Sequence, residues 1–538
     1  MLYKSLLILS ALIATVGTVK SQDVWKADNG DGTYRNPIIY ADYSDPDVIR
    51  VGDDYYLTAS SFNCTPGLPI LHSKDMVNWQ LVNYALKKQV PEAVFNTPQH
   101  GKGVWAPSFA YHNNELYIYY PDPDYGIYMI KTKNPAGDWS KPVLVLEGRG
   151  IIDPTVLWDT DGKAYLGIAW AASRAGINSM ISVFRLNADG SHVIDEGKHV
   201  YDGHGIDPTI EGPKLYKRNG YYYILAPSGG VPTGWQLALR SKSIYGPYER
   251  KVVMDQGTTT TNGPHQGAWV QTPSGENWFF HFQDRDAYGR ILHLEPMQWK
   301  NDWPVIGVDK DGDGKGEPVM VYRKPNVGKT YPEQHPPTSD EFNTDTLGLQ
   351  WQWHANPKIQ WSALMPGSGH LRLFAFPSDS SKNLWTVPNL LLQKLPAPAF
   401  TATAKVQWTV EFDGWQKKKT GLIMMGNDYA YLSITRNEQG YWVSEVVCKD
   451  ALNGSAETIV AQQPLKTGAA YLRITVAGPD AHCVFSYSED GEQYTNIGET
   501  FIAKPDKWIG AKVGLFATAV PGTRYGCYAD IDWFRITK

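Results

Sequence analysis

Cysteine is scarce in this chain: four in 538 residues, Cys64, Cys448, Cys483 and Cys527. So few thiols make no disulfide framework, and no Cys-x-x-Cys or His-rich spacing offers a metal centre. Cys64 stands far from the others, which leaves at most one bridge among the remaining three, and buried free thiols are the simpler reading. A basic surplus is also missing. With 50 Lys and Arg against 55 Asp and Glu, the net charge is -5, so no nucleic-acid partner is expected. Helical periodicity is rare. Long apolar runs are absent beyond the start of the chain, which leaves no membrane span. That start, "MLYKSLLILSALIATVGTVKSQ", carries Lys4, an apolar stretch from Leu6 to Val16 and small or polar residues before Gln22. It reads as a signal peptide over residues 1–21, so an exported protein, periplasmic or secreted, is expected.

Aromatics are plentiful, with 20 Trp and 32 Tyr. Rings in such surplus fill cores, and in a mildly acidic protein they also suit stacking against sugars. Five similar strand-turn stretches recur: "GDDYYLTAS" from Gly52, "NNELYIYY" from Asn113, "DGKAYLGIA" from Asp161, "NGYYYILA" from Asn219 and "GENWFFHF" from Gly275. Each couples Gly, Asn or Asp turn chemistry to residues of high strand propensity. A period of roughly 50 to 60 residues fits four-stranded propeller blades, and five units make a five-bladed β-propeller. It is expected over residues 22–325. A Pro-rich linker, 326–338, follows. Alternating apolar and polar stretches such as "FTATAKVQWTVEF" and "YADIDWFRI" then predict a β-sandwich over 339–538. The fold class is all-β.

About ten positions before each aromatic strand stands a proline, and beside these prolines lie Asp45, Trp105, Asp153, Glu211 and His265. Repeat phase places the five side chains around one axis at one end of the channel. Three carboxylates at one mouth suit glycoside hydrolysis, which needs one acid to protonate the leaving oxygen and one carboxylate to activate water or attack carbon. Negative neighbours help to keep such an acid protonated. For any single Asp-Pro a turn residue is the favoured reading.

Four stretches, "NPIIYADYSDPDVIRVGDDYYLTASSF", "GVWAPSFAYHNNELYIYY", "IIDPTVLWDTDGKAYLG" and "IEGPKLYKRNGYYYI", together resemble glycoside hydrolase family 43. The appended sandwich is similar to that of its β-xylosidase and α-L-arabinofuranosidase members. Three acids in phase, taken together with this resemblance, reverse the turn reading. The resemblance implies Asp45 as general base, Glu211 as general acid and Asp153 as the residue that tunes and orients the acid. It implies inversion at the anomeric carbon, with Asp45 and Glu211 roughly 6.5 to 9.5 Å apart. It also implies substrate contacts from Phe62, Trp105, His265 and Arg290, and no required cofactor. An exo-acting enzyme is expected, working on xylan, xyloglucan or arabinan chains or their oligosaccharides. "NCTPG" after Phe62 departs from the more aromatic xylosidase tail, which points to an altered sugar preference without naming the sugar. α-L-Arabinofuranose is placed first, with β-D-xylose, or dual activity, as the alternative. A catalytically silent glycan-binding propeller is the rival from another class.

Several acids are set aside. Asp47 is expected on the opposite strand face, as a structural residue. Asp207, in a second "IDPT", is out of phase and is read as structural. Asp309, Asp311 and Asp313 mimic a calcium loop, but Met320 holds the place where an EF-hand has Glu; a charged turn is expected. No metal ligand is assigned. The one structural-calcium suggestion, from similar sandwich domains, is Asp340 with Asp532. His265 lies where family members meet calcium or water, but Pro-His-Gln replaces the usual Gly-His.

Overall fold

Each of the five aromatic stretches forms the second strand of a four-stranded antiparallel sheet. The computed structural model describes residues 24–365, 367–379, 382–410, 417–523 and 526–538; the signal-peptide segment lies outside them. Blade 1 runs through Asp47–Val51, Asp54–Thr58, Gly67–Ser73 and Gln80–Leu86. The second strands of blades 2 to 5 are Glu115–Asp122, Ala164–Trp170, Tyr221–Ser228 and Asn277–Asp284. Tight turns feed them. Asn113 and Asn114 have φ of 50° and 60°, and Asn219-Gly220 has 50° and 72°, the paired left-handed residues of a type I′ hairpin. These strands are buried along nearly their whole length instead of on alternate residues, because each blade is covered on both faces by its neighbours.

Five apolar clusters fill the five seams between blades. The seam of blades 5 and 1, for example, joins Trp278 and Phe280 to Tyr55 and Leu57. Trp79, Trp278, Trp361 and Trp408 are fully buried, so much of the aromatic surplus serves packing. Every blade is cut from one continuous stretch of chain, and among the described residues no strand is shared between blades 1 and 5. Closure falls to the flanking segments: Thr33–Arg35 pairs with Val321–Arg323, and Ile38 N–H donates to Leu292 O at 2.8 Å.

Among the described residues the sandwich comprises two eight-stranded sheets, with Phe400–Val410 against Cys527–Thr537 in one and Lys418–Met425 against Lys512–Ala519 in the other. Its core, including Trp408, Leu422, Leu472, Leu515 and Phe534, extends to Tyr288 and Ile291 of the propeller. Asp340 and Asp532 do not make a calcium site. Asp340 accepts N–H bonds from Phe342, Gly348 and Trp351, and Asp532 is paired with Lys405 at 2.6 Å. N–H donors and an ammonium occupy the oxygens that a hard cation would need. All four cysteines are buried free thiols. Among the described residues no helix is long and apolar enough to cross a membrane. Asp207 is clasped by Arg250 and Tyr201, and the Asp309–Asp313 stretch is a turn that bonds its own backbone and Lys300.

Polar contacts tie the two domains together. Thr65 and Trp353 exchange backbone bonds at 3.0 and 2.6 Å, and Gln89 and Asn356 do the same through the Asn side chain. His100 Nδ1 meets Asp506 Oδ2 at 2.7 Å with both side chains nearly inaccessible. Burial opposes the imidazolium, but Asp506 outweighs it and holds His100 above its ordinary 6.5. Burial likewise opposes the carboxylate, and His100 holds Asp506 below its ordinary 3.8. The His100 contribution is therefore complete below pH 6.5 and fades as pH rises through the higher folded value. That of Asp506 is complete above pH 3.8 and fades on acidification. Asp506→Asn should cost about 3 kcal/mol near pH 6, measured by guanidinium unfolding, and the deficit should shrink on the alkaline side. An equal deficit at pH 6 and pH 9 would reduce the contact to a neutral hydrogen bond.

Candidate active site

At one channel mouth the chain sets three carboxylates, and backbone geometry explains why prolines mark them. The residue before the proline has left-handed φ in four blades: Asp45 at 53°, Asp153 at 55°, Gly212 at 55° and Gly263 at 51°. An Asp in that region carries a steric cost, which the surrounding contacts must hold in place. Strict equivalence by repeat phase does not hold. Asp45 and Asp153 stand one residue before their prolines, Trp105 and Glu211 two before, and His265 one after. The shared turn buries Asp45 and Asp153. Glu211, one residue further back, keeps its side chain 31% exposed and is the acid with freer access to solvent.

Asp45 is clamped on both oxygens. Oδ1 accepts from Arg290 Nη1 at 2.8 Å, and Oδ2 accepts from Ser60 Oγ at 2.5 Å and Ser44 Oγ at 3.1 Å. The Asp153 Oδ2 accepts from Gly212 N–H at 2.7 Å and from Gln266 Nε2 at 3.2 Å. Burial pushes the Asp153 carboxyl well above the usual carboxylate range, and the Glu211 charge adds to that; the Gly212 N–H opposes it. Gly212 cannot be replaced cheaply, since a Cβ there would lie 2.7 Å from Gln266 Cγ. Glu211 Oε1 meets His265 Nε2 at 2.9 Å. Burial works against the Arg290 charge, but Asp45, Asp284, Asp42 and Glu211 outweigh it and keep the guanidinium charged.

Aromatic rings build the wall. Phe62 is buried beneath it with Cys64 and Ile509, its ring 6.3 Å from that of Trp105. Trp105 also faces Trp508 at 6.2 Å, and Arg174 lies 5.2 Å from the Trp105 ring. Trp508 belongs to the sandwich and is 48% exposed. Its loop is pinned where Gly510 N–H donates to Asp42 Oδ2 at 3.0 Å, while Asp42 Oδ1 accepts from Arg290 N–H, also at 3.0 Å. Asp47 lies deeper, accepting from Phe109 N–H at 2.6 Å and facing Lys214 across the channel.

The structure therefore joins Asp45 to Arg290 and Glu211 to His265 by direct contact, and sets Asp153, bonded to Gly212 and Gln266, where it feels the charges of Glu211 and Asp45; Phe62 and Trp105 stand alongside. Sequence reasoning missed Ser60, Gln266, Asp42, Trp508 and Asp122. Asp122 ends a blade 2 strand beside the Trp105 backbone, and burial lifts its carboxyl to about 7. Only Gln266 had a visible signal, the residue inserted after His265, where the strand register slips between His265 and Gly267. The buried Nδ1 of His265 has no protein partner, but a single imidazole is no cage for calcium, which takes six to eight oxygens. Beyond the Glu211 carboxylate on its Nε2, no third His, Cys, Asp or Glu ligand atom gathers with it among the described residues.

A five-bladed propeller with three convergent acids, an arginine clamp and an aromatic rim defines a carbohydrate-active hydrolase scaffold. Residues 34–304 match the model of glycosyl hydrolases family 43, and residues 339–537 match that of the beta xylosidase C-terminal concanavalin A-like domain. The chain belongs to glycosyl hydrolase family 43. A Xylanibacter ruminicola protein named "Putative beta-xylosidase" is 40% identical, covering 92% of this chain and 88% of its own. A non-reducing end alpha-L-arabinofuranosidase of Bacteroides ovatus is 31% identical over 93% and 94%. The crystal structure of a xylan beta-1,4-xylosidase from Bacillus halodurans superposes with a TM-score of 0.82 at 26% identity, covering 94% of this chain and all of that one.

Gln266→Leu keeps the side-chain bulk but removes one of the two N–H donors on Asp153. The Asp153 carboxyl should then hold its proton to still higher pH, by about one unit for one lost hydrogen bond. The pH profile of kcat/KM on a chromogenic glycoside reads this as an upward shift of the limb that Asp153 sets. An unmoved profile would limit Gln266 to packing.

Proposed function

We propose that this protein is an exo-acting, inverting β-D-xylosidase that removes terminal xylose from xylan-type oligosaccharides. The observation that carries the chemistry is the separation of environments among the three acids. Asp45 is fixed by Arg290 and Ser60 and serves as the general base that takes a proton from water. Burial and then the neighbouring Glu211 charge strengthen the hold of Asp153 on a proton, which keeps one on this side of the site. Glu211, the more exposed of the two, delivers it to the leaving oxygen as general acid, and Asp153 with its two N–H donors tunes and orients that step. Arg290 and His265 hold the base and the acid respectively and lie within reach of sugar hydroxyls. Trp105, backed by Phe62 and faced by Trp508, offers a ring for a sugar face.

Sugar choice is where this reading departs from the sequence, which placed α-L-arabinofuranose first. The names of the relatives favour xylose, and the matched sandwich model is described for β-xylosidases. The arabinofuranosidase relative supports arabinose as the second reading, including dual activity. Export is part of the proposal and rests on the pattern of the first 22 residues alone. The two domains, read as 22–325 and 339–538 about a short linker, work together at the rim through Trp508.

The test compares progress curves on 4-nitrophenyl β-D-xylopyranoside and 4-nitrophenyl α-L-arabinofuranoside. The xyloside should turn over faster, and Asp45→Asn should lower kcat by about 10² to 10⁴. Proton NMR of the first product should show α-xylose, the inverted anomer. Preference for the arabinoside would promote the second reading. Equal rates for wild type and Asp45→Asn would remove Asp45 from catalysis and favour a binding propeller.

A further inference from the structure

Away from the channel mouth, blade 5 buries a second group of ionisable side chains that the reaction does not use. His281 and His293 face each other directly across two strands, and Glu295 follows on the same face two residues beyond His293. All three are at most 1% exposed. One ligand atom from each lies within 4.8 Å of the other two. His281 Nε2 and Glu295 Oε1 are 3.1 Å apart.

The hydrogen bonding around this group is that of a ligand set. His281 Nδ1 is 3.1 Å from Phe282 O, so a proton there leaves Nε2 with a bare lone pair aimed at Glu295. Metal-bound histidines characteristically donate their second nitrogen in this way. Glu295 Oε2 accepts from Val319 N–H at 2.7 Å, and Asn36 Nδ2 lies 3.4 Å from Oε1, which fixes the carboxylate plane. His293 stacks on His281 at 5.2 Å between centroids, and neither of its nitrogens has a hydrogen-bond partner. Burial holds it neutral, with a free lone pair. A proton between His281 and Glu295 would satisfy those two residues and leave His293 orphaned. A divalent ion would use all three.

We propose that His281, His293 and Glu295 form a structural binding site for a divalent transition metal of the zinc type. Two imidazoles and one carboxylate suit zinc, with its nitrogen and oxygen bonds of about 2.0 to 2.2 Å. A small rotation of His293 would bring its nitrogen from within 4.8 Å to the roughly 3.3 Å between ligands on a tetrahedral ion. The location gives the ion a task. Asn36, before blade 1, and Val319, after the last strand of blade 5, both converge on Glu295 and its neighbour Leu294 in the third strand of blade 5. The ion would staple the ring where no shared strand closes it.

The full chain would be produced in zinc-supplemented medium, desalted, and assayed for metal by inductively coupled plasma mass spectrometry. About one zinc per chain is expected in the wild type, falling at least about tenfold in His293→Phe, which preserves the stack, and in Glu295→Gln. Stripping the metal under mild denaturant with a chelator should lower the melting temperature of the wild type and not of the variants. His354→Phe, at the domain interface, should leave the zinc content unchanged. A metal-free wild type, or equal zinc in wild type and folded variants, would overturn the proposal and leave a neutral polar cluster. If neither variant folds, the wild-type content decides with the His354→Phe control.

Discussion

The structure turns on the cost of keeping acids out of water. Asp45 and Asp153 are almost wholly buried at one mouth, Glu211 stands beside them, and Asp42 and Asp284 lie close by; Arg290 is the guanidinium that faces this collection. Removing several like charges from water is unfavourable unless each is hydrogen-bonded, ion-paired or protonated. All three solutions occur within one channel. Asp45 takes the ion pair, Asp153 takes N–H donors together with a raised affinity for its proton, and Glu211 keeps partial contact with solvent.

That arrangement reaches into the second domain. Asp42 accepts one bond from the Arg290 backbone and another from Gly510, so the sandwich loop bearing Trp508 is fixed to the residue that clamps Asp45. The approach is close: a Cβ on Gly510 would stand 2.6 Å from the Gly289 nitrogen. Side-chain-free backbone on both sides is what lets the loops meet. The sandwich is thereby a wall of the site as well as a packing partner.

The sequence announced the blades clearly, because a left-handed Asn or Gly turn followed by aromatic and β-branched residues leaves few alternatives. It announced the acids nearly as well, since proline marks the strained turn that aims them. It erred in treating Trp105, Glu211 and His265 as occupants of the same position as Asp45; the one-residue offset is what separates a buried carboxylate from an accessible one. Ser60 and Asp42 look like ordinary loop residues and acquire meaning only from partners that the fold supplies. Trp508 is 403 residues from Trp105 along the chain, and nothing local reveals their meeting. The Asp340–Asp532 suggestion failed for a similar reason, because the N–H groups and the lysine that satisfy those acids come from other parts of the domain.

Continuous blades carry a consequence for how the molecule fails. Asp45 precedes the first strand of blade 1 and Arg290 begins the third strand of blade 5, so their ion pair spans the seam between the first and last blades, which the flanking segments fasten. Parting that seam would separate Arg290 from Asp45 while all twenty blade strands, four in each of five sheets, kept their own hydrogen bonds. Heat inactivation would then run ahead of the loss of β-structure, and turnover itself would serve as a gauge of whether the ring is shut.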